Sequence, residues 1–310
     1  SFPEKEKTDI QDAKVIAEYL RFGRLPVEAN PKSPYLPLQR LVRYRYHLVK
    51  SIEREKKIYL ANLFLKFPGW VQTKPIKSTG KTTFDITSQL TTDEIVQMPL
   101  EQLVEKIIKS SKNRFPDPNA IAEEIKKSAN ESYRIRPELS KSITFILASI
   151  YRTITALKDN LNQLDKAIKE ESKGFINPLF SIPGINYVYA TGIFASIGDI
   201  KRFASHNQLA RIAGLVWKKK QSGKYESEKS VLAYECDKYL RYYLIEAANS
   251  LRVHNEEYQI YYLKKYKESS FNKHKRALVL TSRKLVRLVF ALLSKNQLYD
   301  QYRVSQCSNL

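Results

Sequence analysis

The chain has 310 residues, 43% of them hydrophobic, enough for two or three domains, and no apolar run approaches the length of a membrane helix. Fifty-three Lys and Arg stand against 32 Asp and Glu, a formal charge of +21. That excess points to a polyanionic partner, by default nucleic acid, and with no membrane-length apolar run no membrane partner is expected. Cys236 and Cys307 give neither a disulfide framework nor metal-ligand spacing, which fits a reducing cytoplasm. The start, S-F-P-E-K-E-K, lacks the apolar core of a signal peptide. The single methionine is Met98, so the chain is expected to be a fragment or a processed product.

Residues 8–22 read as a helix. Thr8 is placed to cap it, and Val15, Ile16, Tyr19 and Leu20 form an apolar stripe. Four prolines, at 26, 31, 34 and 37, mark 24–37 as a linker. Residues 38–66 read as a long basic helix. The stretch 67–140 is mixed, with breaks at Pro68-Gly69 and Pro75 and short amphipathic helices near 92–111 and 117–129. Its K-S-T-G-K-T-T, residues 77–83, ends like a phosphate-binding P-loop. Pro75 stands where that loop needs its first Gly, and no apolar strand precedes it, so the nucleotide-binding reading is rejected.

The clearest periodicity follows. Ile143, Leu147, Ile150, Ile154, Leu157, Leu161, Leu164 and Ile168 step by four and three, the coiled-coil heptad. This predicts an antiparallel stalk or a dimerisation element, with a plain bundle helix as the alternative. Residues 177–200 read as helix, Pro183-Gly184 hairpin, helix. Turn amides in such an element hold DNA phosphates, which makes Gly184 a candidate contact. Helices are predicted at 205–213, 237–265 and 273–293. The whole reads as mainly α, in three parts: 1–30, 31–172 with an insertion at 67–140, and 173–310.

Two sets of residues suggest chemistry. Ser222-Gly223 follows Lys218, Lys219 and Lys220 and precedes Lys224. A hydroxyl nucleophile beside concentrated positive charge is what attack on a nucleic-acid phosphate needs. Near the N-terminus, Asp9 and Asp12 are spaced for one helix face. Carboxylates held together bind Mg2+ for phosphoryl transfer. Against these stand plainer readings: a turn serine, a helix-capping Asp9, a solvated lysine run. Tyr258, Tyr261, Tyr262 and Tyr266 are expected to pack rather than to stack on bases.

The run from S-I-P-G-I through I-G-D-I-K-R-F, Q-L-A-R-I-A-G-L-V and Q-S-G-K to C-D-K-Y-L-R-Y-Y-L-I-E-A-A-N-S resembles the serine-containing domain of the bridge-RNA-guided insertion-sequence transposases. It closes on N-K-H-K-R-A-L-V-L-T-S-R-K-L-V-R-L-V-F-A-L-L. K-T-D-I-Q-D-A resembles the end of that family's RuvC-like domain, whose metal site has four acidic residues. Asp9 and Asp12 match the last pair. Trp217 stands where the family usually has Pro, and glycine is lacking after Gly223. The resemblance implies an Mg2+-dependent DNA transposase or recombinase of the cytoplasm and nucleoid. Ser222 would form a covalent link to DNA, with a structured guide RNA as partner. It also implies a homo-oligomer in which one subunit's serine meets another's acidic site. The competing function classes are a non-catalytic nucleic-acid-binding protein or inactive transposase remnant, and a junction nuclease using only the acidic site.

Overall fold

The computed structural model describes residues 33–222, 225–232 and 236–300, together with 13, 14, 17 and 21. The chain divides into two compact units, 1–37 and 38–310. Of the first, Ala13, Lys14, Ala17 and Arg21 are helical, within the predicted 8–22 helix. Asp9 and Asp12 lie outside the described residues.

The second unit is mainly helical. Helix α1 (Leu36–Lys66) ends where Pro68, which cannot donate a backbone bond, opens α2 (Pro68–Thr73). Short helices follow: α3 (Lys81–Thr87), α4 (Thr92–Gln97), α5 (Leu100–Ser111) and α6 (Pro118–Asn130). The segment expected to be helical near 92–111 is divided at Met98-Pro99. The Thr91 hydroxyl accepts from the Glu94 amide, and the Glu94 carboxylate accepts from the Thr91 amide at 2.6 Å, a reciprocal cap that starts α4.

Helix α7 (Pro137–Glu171) carries the heptad stripe and runs antiparallel to α1. Arg45 Nε reaches Asp165 at 2.6 Å, and Lys66 Nζ reaches Thr144 at 2.8 Å. The later position on α1 therefore meets the earlier one on α7. Ile143, Leu147, Ile150 and Ile154 share one buried cluster with Ile52, Tyr59 and Leu63 of α1, Trp70, Phe84, Ile95, Leu103, Ile107 and Ile125. The front half of the heptad stripe is thus spent inside this chain, against the helices of the 67–140 segment. Leu157 and Leu161 pack at the edge of the same cluster.

The remainder forms a second core. A single 3-10 turn (Pro178–Ser181) leads through Pro183-Gly184 into α8 (Tyr187–Ile197). The arm before that hairpin is therefore one turn, not the helix expected there. After α9 (His206–Ile212) comes an antiparallel pair, β1 (Trp217–Ser222) and β2 (Tyr225–Leu232). The segment 237–265 divides at Asn255 into α10 (Lys238–His254) and α11 (Glu256–Glu268). Asn255 is extended there, and its side chain caps α11 by accepting from the Tyr258 amide at 3.2 Å. Helix α12 (Lys273–Lys295) closes the fold. Tyr243 of α10 joins the two cores: its hydroxyl donates to the Val42 carbonyl of α1 at 2.7 Å. Its ring lies so close over Gly192 of α8 that a Cβ there would sit 2.4 Å from the ring. None of the described helices is long and apolar enough to cross a membrane.

Candidate nucleic-acid interface

The backbone around Ser222 is built from its base upward. Helix α9 ends at Ala213-Gly214. Gly214 has φ +64 and is pressed against neighbours, since a Cβ would fall 1.9 Å from an Arg241 guanidinium nitrogen. Only glycine fits both constraints. The carbonyls left open at this helix end are taken by arginines from two other helices. Arg241 of α10 donates to Ala213 O at 3.1 Å and to Gly214 O at 2.9 Å. Arg283 of α12 donates to Leu215 O at 2.9 Å and to Asn207 Oδ1 at 3.1 Å. Cations at a helix C-terminus satisfy orphan carbonyls and complement the dipole.

The return strand is fixed just as firmly. Asp237 N donates to Ile212 O at 2.8 Å, and the Asp237 carboxylate caps α10 by accepting from Tyr239 N and Leu240 N, both at 2.9 Å. Between these anchors the strands pair Trp217 with Leu232, Lys218 with Val231, Lys219 with Ser230, Gln221 with Glu226 and Ser222 with Tyr225. An irregularity between Lys219 and Gln221 puts extra residues on β2. Ser222 is the last residue of β1, next to the two-residue connection Gly223-Lys224. Those two residues lie outside the described ones. The glycine-free stretch after Gly223 is strand β2.

Gly184, the other candidate contact, has φ +88. A Cβ on it would meet the Cβ of His254 at 2.8 Å. Its glycine is accounted for by that close approach to the end of α10.

A cluster not singled out in the sequence sits beside the hairpin base. The rings of Tyr46 on α1 and Tyr242 and Tyr239 on α10 meet edge to face at 5.0 and 5.2 Å. His47 Nε2 lies 2.9 Å from the Tyr239 hydroxyl. Arg43 lies 5.2 Å and Lys238 5.1 Å from the Tyr239 ring, and Lys50 caps Tyr46 and Tyr242 at 5.7 and 5.6 Å. Burial, and then the charge of Glu246, push the Tyr242 phenol up to about 12, so it stays neutral. Interleaved cations and aromatics of this kind suit phosphates and unstacked bases together. The signal was R-Y-R-Y-H at 43–47, which reads as helix surface until α10 is laid across it.

Of the four tyrosines expected to pack, Tyr258 and Tyr262 are buried in the second core. Tyr258 also shares the Lys284 ammonium with Tyr261, at 5.0 and 4.8 Å, and Tyr266, contrary to that expectation, is 39% exposed. Among the described residues no group of three His, Cys, Asp or Glu gathers to hold a metal ion.

Comparison with known proteins finds two family matches. Residues 177–263 match a model described as the transposase IS116/IS110/IS902 family, and residues 1–68 match a DEDD transposase model of the IS110 type. Between them they take in half of the chain. The transposase for insertion sequence element IS1111A of Coxiella burnetii (strain RSA 493 / Nine Mile phase I) is 26% identical over 175 residues, 55% of this chain and 46% of that protein. The chain thus spans less than half the length of that relative.

Proposed function

Because the chain belongs to the IS110 type of insertion-sequence transposases, we propose that it is the DNA-joining part of a recombinase whose nucleophile is Ser222. The observation that carries the reading is the construction of the hairpin. Ser222 ends a strand whose base is tied down by Arg241 and Arg283, from two different helices, and by Asp237, the cap of α10. A hairpin whose base is fixed presents its tip from a defined place, and positioning of the attacking group is where much of the rate of such reactions originates.

In the proposed step the serine oxygen attacks a DNA phosphorus. A P–O(serine) bond forms as one P–O ester bond breaks, leaving a covalent protein–DNA link and a free hydroxyl end. The hydroxyl proton passes to a base or to water. Lys218, Lys219, Lys220 and Lys224 supply positive charge for the pentavalent phosphate, and Gly184 offers a turn amide to the backbone. The group implied by the DEDD match is a divalent metal, and we assign Mg2+ to it. Asp9 and Asp12 are hard oxygen donors of the type that ion takes. Bound, it would offset phosphate charge. Guidance by a structured RNA, and assembly of a homo-oligomer that brings one subunit's serine to another's acidic residues, belong to the same proposal. So do the parts 1–30, 31–172 and 173–310 as domains.

The test uses the protein with end-labelled DNA of its element. Ser222→Ala is expected to abolish the covalent adduct seen on denaturing gels while retaining DNA binding, because the hydroxyl contributes only when it attacks. Asp12→Asn is expected to lose activity in a way that extra Mg2+ partly restores. An adduct formed by Ser222→Ala at the wild-type level removes the serine from its role.

A further inference from the structure

The segment between the two family matches holds a cavity of about 440 Å³. Four cations line it, Lys77, Lys81, Lys112 and Arg114, and its apolar wall is Ile76 and Phe115. No carboxylate lines it, and among the described residues none of the four cations forms an ion pair. Like charges converging without a counter-charge destabilise a fold slightly. They are kept together here by two pieces of backbone. Lys77 O accepts from Gly80 N at 2.7 Å and from Thr83 Oγ1 at 2.9 Å, which folds Lys77 and Lys81 to one side. Across the cavity, α5 ends in two left-handed residues, Lys112 and Asn113, with φ 54 and 56. That reversal turns Lys112, Arg114 and Phe115 back toward the first loop.

A second cavity of about 460 Å³ adjoins the first, sharing Lys81 and Ser110 and adding Lys106 and Lys109. Its one carboxylate, Asp85, is already held by the Ser110 hydroxyl. The two make a continuous basic channel along the exposed side of α3 and α5.

We propose that this channel binds a single-stranded nucleic acid, with one unstacked nucleotide seated in the first cavity. Its phosphate would lie among Lys77, Lys81, Lys112 and Arg114, and its base against Phe115 and Ile76. The strand continues past Lys81 along Lys106 and Lys109. The cavity has room for one nucleotide, and a cationic groove with an aromatic platform is how single strands are held without sequence readout. The assignment borrows from the proposed function only the class of ligand. It involves no residue near Ser222, so the two fail separately: loss of adduct reports on the serine, loss of strand affinity on the channel.

The experiment is fluorescence-anisotropy binding of the full chain to 12-nucleotide single strands of RNA and of DNA, from 50 to 200 mM salt. Each single-strand phosphate contact contributes roughly 0.7 to the slope of log affinity against log salt. Replacing Lys77, Lys81, Lys112 and Arg114 together by Gln removes the single phosphate contact they share and is therefore expected to lower that slope by about 0.7. These side chains are exposed, so the fold is kept, as an unchanged urea transition will show. Phe115→Leu, which preserves apolar packing but loses stacking, is expected to weaken binding by at least about fivefold with the slope unchanged. Weakening for RNA alone, for DNA alone or for both supports the channel and names the strand it serves. A quadruple variant with the wild-type slope for both strands overturns the proposal. So does a nucleoside monophosphate that displaces the strand at equal phosphate concentration, since the cavity would then take free nucleotides.

Discussion

Lys66 is wholly buried at the end of α1, and its ammonium donates to Thr87 O at 2.7 Å, Leu90 O at 2.6 Å and Thr144 Oγ1 at 2.8 Å. No carboxylate touches it. Burial outweighs the distant help of Glu94 and lowers its pKa to about 8. A base whose folded pKa lies below its unfolded one binds fewer protons in the folded chain. Folding stability then climbs with pH between the two values, here from about 8 toward the ordinary lysine value near 10.5. At about 1.36 kcal/mol per pH unit, Lys66 is expected to add about 2 kcal/mol between pH 7 and 9.5. The window stops at 9.5 because burial raises the Tyr59 phenol, which sits in the same cluster. An acid with a raised folded pKa costs stability once the pH passes its unfolded value near 10. Lys66→Met removes the charge and preserves the length of the side chain. It leaves two carbonyls without a donor, at about 1–3 kcal/mol each, against a gain of similar size from no longer burying a charge. Its net effect at pH 7 is expected to be small, and its pH profile flat. Urea unfolding followed by Trp70 fluorescence reads this core, since Trp70 is fully buried in it. A Trp217→Phe background silences the second of the chain's two tryptophans. If wild type and Lys66→Met rise in parallel from pH 7 to 9.5, the reasoning is refuted.

Gly214→Ala is expected to cost at least about 2 kcal/mol, because its Cβ has no room beside Arg241, and to reduce DNA adduct more than DNA affinity; equal losses in the two assays would argue against a positioning role for the hairpin base. Ile154→Ala should destabilise by about 2–4 kcal/mol in urea with no dependence on protein concentration, since Ile154 is fully buried in the chain's own cluster. A midpoint that shifts with concentration would instead assign that side chain to a subunit contact. Arg45→Met, which breaks the 2.6 Å contact to Asp165 with only 12% of the arginine side chain exposed, is expected to cost about 1–3 kcal/mol. In a double-mutant cycle with Asp165→Asn, most of that cost should vanish.

The helices were legible wherever one apolar stripe ran long enough to repeat. The heptad from Ile143 to Ile168 gave α7 to within a few residues at its end, and prolines marked the end of α1. Within 67–140 the helices near 92–111 and 117–129 were legible, but the rest of the segment and its packing were opaque for a physical reason. Its apolar residues are dealt out over four or five short helices, so Trp70, Phe84 and Ile95 each stand in an element of six or seven residues, too short for a period to show. Nor does composition say that the last lysine of a basic helix is buried. The hairpin carrying Ser222 was missed because W-K-K-K-Q-S lacks the apolar–polar alternation of a strand. What holds it is remote, the arginines at 241 and 283. The serine itself stood out only through the run of residues around it, and the Tyr46–Tyr239–Tyr242 cluster only once α10 was seen to cross α1.

Helix α1, about 46 Å long at 1.5 Å per residue, serves two masters. Its first half meets Tyr243 of the C-terminal core, and its second half is the floor on which the 67–140 helices rest. Excising those helices would leave Tyr59, Leu63 and the Ile143–Ile154 stripe facing water, so the segment is no detachable ornament. Substitutions on its surface leave that support in place, whereas removing the segment would strip the second half of α1 of its packing.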